Sequence, residues 1–554
     1  MSSAHRKKKT PARTPRTTER TIHQPIQPPA LTLRTAAPLN HLDGIFLAGL
    51  AALTAAVFGQ VIQFGFISID NSLYGTANPH LAQGLTRASL EWAFRETINY
   101  WQPLTYLSHL VDFQLFGPQL AWHHAVSLFW HLLDTLLLYS LMRYITGAQW
   151  KSAAVAAMFA IHPLHAEPVA WLASRKDVLS TFFLLGSIGA YCFWLRKPSP
   201  YRYSLMAVIF ALGLMTKPSV TILPVLLLAL DYWPLGRWTR GRGVPLVMEK
   251  LPLFLLSAII IALSLRSYET TTTVVQAAGA RSAVNALPAA RSLISPFHYL
   301  KHVFWPAGLS VHYPVVRPTL ARALPGFLAL GAISYLCVRY ARRFPYLPSG
   351  WFWFLAGLAP TLGMGLGDRF AYVPSIGLFW ILAWALEDAC SALPHGGRIA
   401  AAAGSAGIAA LAVCTFFHLP VWRDNASLLT HAVAAYPNDM KSRFWLAGLL
   451  AATNEPEKAM AQYREVLRHD PDNFETILDL AHYHLRTGHL PEAVDYFQHA
   501  LRIQPNRVDI LKDLADLLFT HDHRADAIPY YQRIHRLNPQ NTEVTDILEA
   551  YHAL

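Results

Sequence analysis

From Gly44 to about Pro420 the chain alternates long apolar runs with short polar breaks, and beyond Pro420 apolar positions recur singly among charges. A run of roughly 20 apolar residues is what an α-helix needs to cross the hydrocarbon core of a bilayer. The pattern predicts eleven crossings, at 44–66, 120–142, 151–171, 178–196, 202–217, 218–236, 251–266, 324–340, 346–366, 373–391 and 399–420. A further apolar stretch, SPFHYLKHVFWPAGLSVHYP at 295–314, is broken by prolines, Lys301 and histidines, and is expected at the outer interface or re-entering rather than crossing. In the tail, Pro437, Pro471, Pro505 and Pro539 recur every 34 residues. Ahead of the last three, at fixed offsets, stand Ala459, Tyr463 and Val466, then Ala493, Phe497 and Ala500, then Ala527, Tyr531 and Ile534. Small and aromatic positions at this period are the signature of tetratricopeptide helix pairs, where small residues let helices approach closely. The expected fold is all-α: a polytopic membrane bundle over 44–422, then a repeat solenoid over 423–554 with three full repeats after a partial leading one.

Composition agrees with a membrane protein. Hydrophobic residues make up 53% of the chain and charged ones only 14%, against about 25% charged in a soluble domain. The net charge of +12 comes partly from residues 1–40, within the N-terminal segment 1–43, where Arg6, Lys7, Lys8, Lys9, Arg13, Arg16, Arg20 and Arg34 face Glu19. That Pro- and Thr-rich block is expected to be disordered and cytoplasmic, held near anionic lipid rather than nucleic acid. A cleavable signal peptide is not expected, because the first apolar run begins late and is long. The four cysteines (Cys192, Cys337, Cys390 and Cys414) lie in apolar segments and read as small core residues, not as a disulfide or zinc framework.

With the N-terminus inside, the cytoplasmic connections carry Arg143 and Lys151, then Arg196, Lys197 and Arg202, then Arg237, Arg240, Arg242 and Lys250, then Arg339, Arg342 and Arg343, and lastly Arg398. This is the positive-inside pattern. The long 67–119 loop, the RKD triplet at 175–177, Lys217, the GDR triplet at 367–369 and the tail then share the outer face.

Ionisable groups on that face are the candidate chemistry. Asp70, just past the first span, is placed to act as a general base, or else simply to start a turn. His124, His131 and Asp134 lie near one stripe of an apolar helix, where costly groups face a cavity or one another. His162, His165 and Glu167 superficially resemble metal ligands, but Pro163 and Pro168 interrupt the helix, so the three need not converge. Arg175 and Lys176 suit a phosphate, or anchor a helix to headgroups, and Asp177 starts the next helix. Lys217 and Arg369 are each a cation at the outer end of an apolar helix beside a breaking Pro or Gly. Spacing does not say whether these cations converge.

The strings NPHL, WQPLTYLSHLVDFQLFG, HPLHAEPVAWLASRKDVLS, TKPSVTILPVLLLALDYWPLGR, WPAGLSVHYP and DRFAYVPSIGLF resemble the transmembrane-and-tetratricopeptide-repeat family in its bacterial form, over about 66–380 plus the tail. The resemblance implies a GT-C-type membrane glycosyltransferase. Animal members are O-mannosyltransferases that use a dolichyl-phosphate-linked donor, and a bacterial relative is expected to use a polyprenyl-phosphate sugar at the periplasmic face. Carried over by motif, the catalytic acid falls on Asp70, and the HPxHxE…R.D motif on His162, His165, Glu167, Arg175 and Asp177. The late motif falls on Asp368, Arg369, Tyr372 and Pro374, with Arg369 as the phosphate contact. The chain departs from the pattern at Asn71, where a second acid is usual, at Gln102, where His is common, and at Ser127 and Asp134, where Asn is common.

The expected function is transfer of a sugar, mannose by resemblance, from a polyprenyl monophosphate to a Ser or Thr hydroxyl of a protein. Asp70 is the expected catalytic base. Arg369, Arg175, Lys217 and Lys176 are the donor-phosphate set, and His162, His165, Glu167, Asp177, Tyr372 and His124 line the pocket. No cofactor is expected, and no divalent metal, because the cations neutralise the phosphate. The repeats would hold the protein acceptor in the periplasm of a bacterial inner-membrane protein. The rival reading is a non-enzymatic membrane-anchored repeat scaffold for envelope assembly. A transporter or flippase ranks third, since the membrane half has no internal duplication.

Overall fold

The structure is a computed structural model that describes residues 40–69, 74–75, 77–97, 100–277, 288–314, 320–362 and 364–552, the side chains of 268–277, 288–293 and 320–323 excepted. The basic segment 1–39, together with Asp70 and Asn71, lies outside the described residues.

Every element among the described residues is helical. The first helix, His41–Phe58, starts at a reciprocal cap: the Asp43 backbone N–H donates to the Asn40 side chain at 3.1 Å, and the Asn40 N–H donates to Asp43 at 2.9 Å. Asp43 is fully buried and accepts from Tyr139 at 2.6 Å, Gln149 at 2.8 Å and Arg143 at 3.0 Å, which ties the first helix to the helices Leu120–Thr146 and Gln149–Ile161.

Among the described residues, four segments are long and apolar enough to cross a membrane: His41–Gln63, Leu120–Thr146, Leu172–Arg196 and Gly396–Trp422. Shorter apolar helices occupy Pro200–Leu214, Pro218–Tyr232, Leu251–Ser267 and Leu324–Arg339. The continuous crossing expected at 151–171 is corrected. Its helix, Gln149–Ile161, ends after 13 residues, about 20 Å of rise and well short of a bilayer core. The cause is Pro163, which lacks an N–H and pushes His162 into an extended conformation (ψ 136°), after which the chain continues as short turns to Ser174. The 295–314 stretch forms the end of a helix, Pro288–Phe304, and then an irregular run to Pro314 that bends at Gly308 and Val311.

Leu255, Leu265, Leu328, Val338, Val413 and Phe417 are exposed on these helices. Apolar faces of this extent are what a lipid environment covers.

The charged connections sort to opposite ends of the bundle. Near Asp43 lie the Lys151–Glu387 pair (2.6 Å), Arg196 over Tyr144 and the buried network of Arg237, Glu249, Lys250, Asp231 and Tyr191. At the far end of the same helices lie His162, Arg175, Asp177, Lys217 and Arg369.

The 34-residue period appears as helix pairs beginning at Met440, Phe474 and Val508, preceded by Asn425–Ala435 and followed by Thr542–Ala550. Every one of the nine periodic small, aromatic and aliphatic residues is buried. Tyr463 and Tyr531 also donate to Asp479 and Asp516 on neighbouring helices, at 3.1 and 2.6 Å.

This tail begins against the end that carries Arg369. The Gly65 N–H donates to the Arg423 carbonyl at 2.7 Å, and the Ser68 N–H to the Asn425 side chain at 2.8 Å. Tyr436 donates to the Gly308 carbonyl at 2.9 Å, and His312 stands 3.5 Å from Asp439.

Candidate active site

The late motif sits on a tight turn, Asp368–Ala371, between helices Tyr346–Leu358 and Ser375–Cys390. Those two helices touch through glycine: a Cβ on Gly350 would strike the Gly377 carbonyl, and the converse holds for Gly377. Close approach there fixes the ends of the turn.

On the turn, Arg369 forms an ion pair with Glu167 through Nη1, and its backbone N–H donates to the other carboxylate oxygen at 2.9 Å. The guanidinium also lies over Trp171, 5.2 Å from the ring centroid. Asp368 points the other way and accepts from Tyr313 at 2.5 Å. Burial pushes the Asp368 carboxyl well above its ordinary range, and nearby Glu167 adds to this against the Tyr313 hydrogen bond and Arg369.

Lys217 pairs with Asp177 beside Arg369. Lys217, Asp177, Arg369 and Tyr372 line one cavity of about 30 Å³, walled also by Val220 and Pro374. That is room for about a water molecule.

The other expected phosphate contacts are held elsewhere. Arg175 is fully buried and already satisfied: it pairs with Asp112 and donates to Ser127 at 3.1 Å and to the His123 carbonyl at 2.5 Å. Lys176 donates to the Tyr74 hydroxyl at 3.1 Å and lies over that ring.

The histidines have separate duties as well. His162 binds the Val303 carbonyl at 3.0 Å, His165 the Phe159 carbonyl at 2.6 Å and Ser375 at 3.2 Å, and His124 the Gly65 carbonyl at 3.3 Å. With Glu167 turned to Arg369, the His162, His165 and Glu167 set does not form a ligand group.

Several partnerships escaped the sequence reading. Asp134 and His131 both meet the Tyr372 hydroxyl, at 3.0 and 2.7 Å, so a polar chain runs from mid-helix to the cavity wall. Their spacing on an apolar helix was visible, but their partner 238 residues away was not. Tyr313 and Asp112 carried no local signal. His109, Asp112 and His123 bring ligand-type atoms within 4.8 Å of one another, all buried. In the repeats, a cavity of about 750 Å³ is lined by Leu490, Val494, Leu518, Pro529, Tyr530 and Asp526.

A tetratricopeptide-repeat family model matches residues 422–474 and 478–542. The chain is similar to Protein O-mannosyl-transferase Tmtc1 of Drosophila melanogaster, 28% identical over 153 residues, which is 26% of this chain and 18% of that protein. It is also similar to Protein O-mannosyl-transferase TMTC1 of Homo sapiens, 29% identical over 166 residues, 27% of this chain and 18% of that protein. Drosophila Protein O-mannosyl-transferase Tmtc2 matches 79 residues at 33% identity, 14% of this chain and 8% of that protein. The matches thus span less than a fifth of each relative.

Proposed function

We propose that the chain is a multi-pass membrane glycosyltransferase that moves a sugar, mannose by analogy with these relatives, from a polyprenyl monophosphate to a Ser or Thr hydroxyl of a protein. One observation carries the reading: two cations from separate stretches, Lys217 and Arg369, line the same cavity at the end of the bundle where the repeats begin. Such a pair suits a departing phosphate, Arg by directed hydrogen bonds and Lys as a point charge.

In this reading Asp70, outside the described residues but directly after Ile69, deprotonates the acceptor hydroxyl. The oxygen attacks the anomeric carbon as its bond to phosphate breaks, and the configuration inverts. Arg369 and Lys217 take up the phosphate charge, and no step needs a metal. Arg175, bound to Asp112, positions helices rather than touching the donor. A multi-pass GT-C fold, a bacterial inner membrane, a cytoplasmic N-terminus and periplasmic repeats complete the proposal. The repeats hold the protein acceptor.

The scaffold reading draws on one observation, that the cavity in the repeats far exceeds the one at Arg369. The test is binding of sugar-free polyprenyl monophosphate to the purified full chain in detergent, followed by native mass spectrometry. Saturable binding that weakens in Arg369→Gln and Lys217→Gln supports the transferase. No binding, or binding indifferent to both substitutions, moves the function to the repeats.

A further inference from the structure

We propose that His109, Asp112 and His123 bind one zinc ion that clasps the long first outer loop to the helix bundle. His109 and Asp112 lie one turn apart on the loop helix Pro103–Phe116, and His123 lies in the first turn of Leu120–Thr146. All three are buried, and one ligand-type atom from each falls within 4.8 Å of the others.

The hydrogen bonds argue for a cation between them. His123 Nε2 stands 2.8 Å from the Gly117 carbonyl. A carbonyl only accepts, so Nε2 carries the proton, and in the neutral imidazole Nδ1 presents its lone pair. That lone pair faces Asp112 Oδ2, itself an acceptor, at 3.8 Å. Two acceptors turned toward each other in a buried place repel, and Arg175, paired with the same Oδ2, offsets this on the carboxylate side but gives the His123 lone pair no partner. Both ring nitrogens of His109, fully buried, have no hydrogen-bond partner among the described residues. Buried imidazole nitrogens without partners are rare, and an ion or water is the usual reason.

Outer contacts of the kind that orient metal ligands are already present. Besides the Gly117 carbonyl on His123, Arg175 pairs with Asp112 and donates to the His123 carbonyl at 2.5 Å. Arg175 is also the counter-argument, since its charge opposes a second cation. In the structure Arg175 and His123 both face Asp112 Oδ2, so the ion would take the second oxygen, Oδ1, while Arg175 keeps Oδ2. Two imidazoles and a carboxylate suit zinc better than magnesium or calcium, and leave a fourth position for water. Bonds of about 2.0–2.2 Å place tetrahedral ligands ~3.4 Å apart, so from separations of up to 4.8 Å the group needs to contract by up to about 1.4 Å through side-chain rotation.

The inference departs from the sequence expectation of no divalent metal, and it is independent of the transfer reading because no step runs through the ion. The test uses the full chain in detergent, stripped with chelator and dialysed against zinc chloride alone, then measured by atomic emission, by the visible spectrum after cobalt(II) replacement and by thermal unfolding. The expected result is about one zinc per chain, a cobalt spectrum of tetrahedral type and a higher melting temperature. All three should vanish in His109→Asn and His123→Ala and persist in His298→Ala, a histidine outside the group. Uptake below about a tenth of an equivalent in the wild type overturns the proposal, as does equal uptake by His109→Asn. His109→Asn keeps the test readable if its zinc-free elution matches the zinc-free wild type. If it does not, cobalt-to-imidazole charge and ligand-field bands in the wild type decide the matter, and their absence overturns the site.

Discussion

Arg369 and Glu167, 202 residues apart, meet twice: guanidinium to carboxylate, and backbone N–H to the second carboxylate oxygen at 2.9 Å. The double contact fixes both the side chain and the turn that carries it. Glu167 is fully buried, whereas the Arg369 side chain keeps 24% of its surface exposed on the cavity side. A guanidinium held from behind in this way faces a ligand with little freedom left to lose.

Replacing Arg369 with Ala should therefore lower transfer by about 100–1,000-fold, the range for losing one preorganised donor to a developing charge. Arg369→Lys should recover little, because an ammonium cannot hold Glu167 and a phosphate in the same planar fork. Initial rates at saturating donor check both substitutions.

Glu167→Gln should be milder for folding than Glu167→Ala. Glutamine still accepts from the Arg369 N–H, while alanine leaves the guanidinium without its partner. The alanine variant should cost about 1–3 kcal/mol, less than breaking a fully buried pair because Arg369 is partly exposed. Thermal unfolding in detergent measures the difference.

Asp177→Asn should tighten binding of sugar-free polyprenyl monophosphate. The substitution removes a negative charge from the cavity and releases Lys217 from its ion pair. A gain of about tenfold, ~1.4 kcal/mol, is the expected size. Weaker binding would mean that Asp177 orients Lys217 rather than occupying it.

Gly350→Ala should destabilise the turn that bears Arg369 by about 1–3 kcal/mol, because its Cβ meets the Gly377 carbonyl, which is main chain and does not rotate away. Limited proteolysis between Tyr346 and Cys390 should detect the loosening.

Docking of the repeats should weaken in acid. Burial alone would raise Asp439, but the neighbouring His312 and a hydrogen bond from Ser442 (2.5 Å) outweigh it and hold the carboxyl below its ordinary value. A carboxyl lowered on folding contributes stability above its unfolded pKa and loses that contribution as pH falls through the folded value. The protection factors of the 308–313 amides, exchange corrected for its intrinsic pH dependence, should fall on acidification, and Asp439→Asn should flatten that fall.

Local patterns carried much of this fold. The 34-residue period made the tail legible because each repeat buries the same small and aromatic positions, Ala493, Phe497 and Ala500 among them. The apolar runs disclosed the bundle, and Pro163 and Pro168 disclosed that 162–174 would not be a smooth helix. The length of the lost helix was not legible, since apolar content continues through Trp171 while hydrogen bonding does not. In the candidate site, Lys217 and Arg369 were legible as cations at helix ends. Their shared cavity was not, nor was the fate of Arg175. Its neighbour Lys176 and the string RKD pointed to the outer surface, yet Asp112 on another helix takes it into the core. Pairings across 60 to 240 residues leave no local trace.

The most direct measurement is transfer from labelled polyprenyl-phosphate mannose to membrane and periplasmic proteins, comparing the wild type with Asp70→Asn and Arg369→Ala at matched expression. Label on protein in the wild type, collapsing in both variants, is the predicted result. Transfer that survives Arg369→Ala at the wild-type rate would contradict the phosphate site and with it the proposed mechanism.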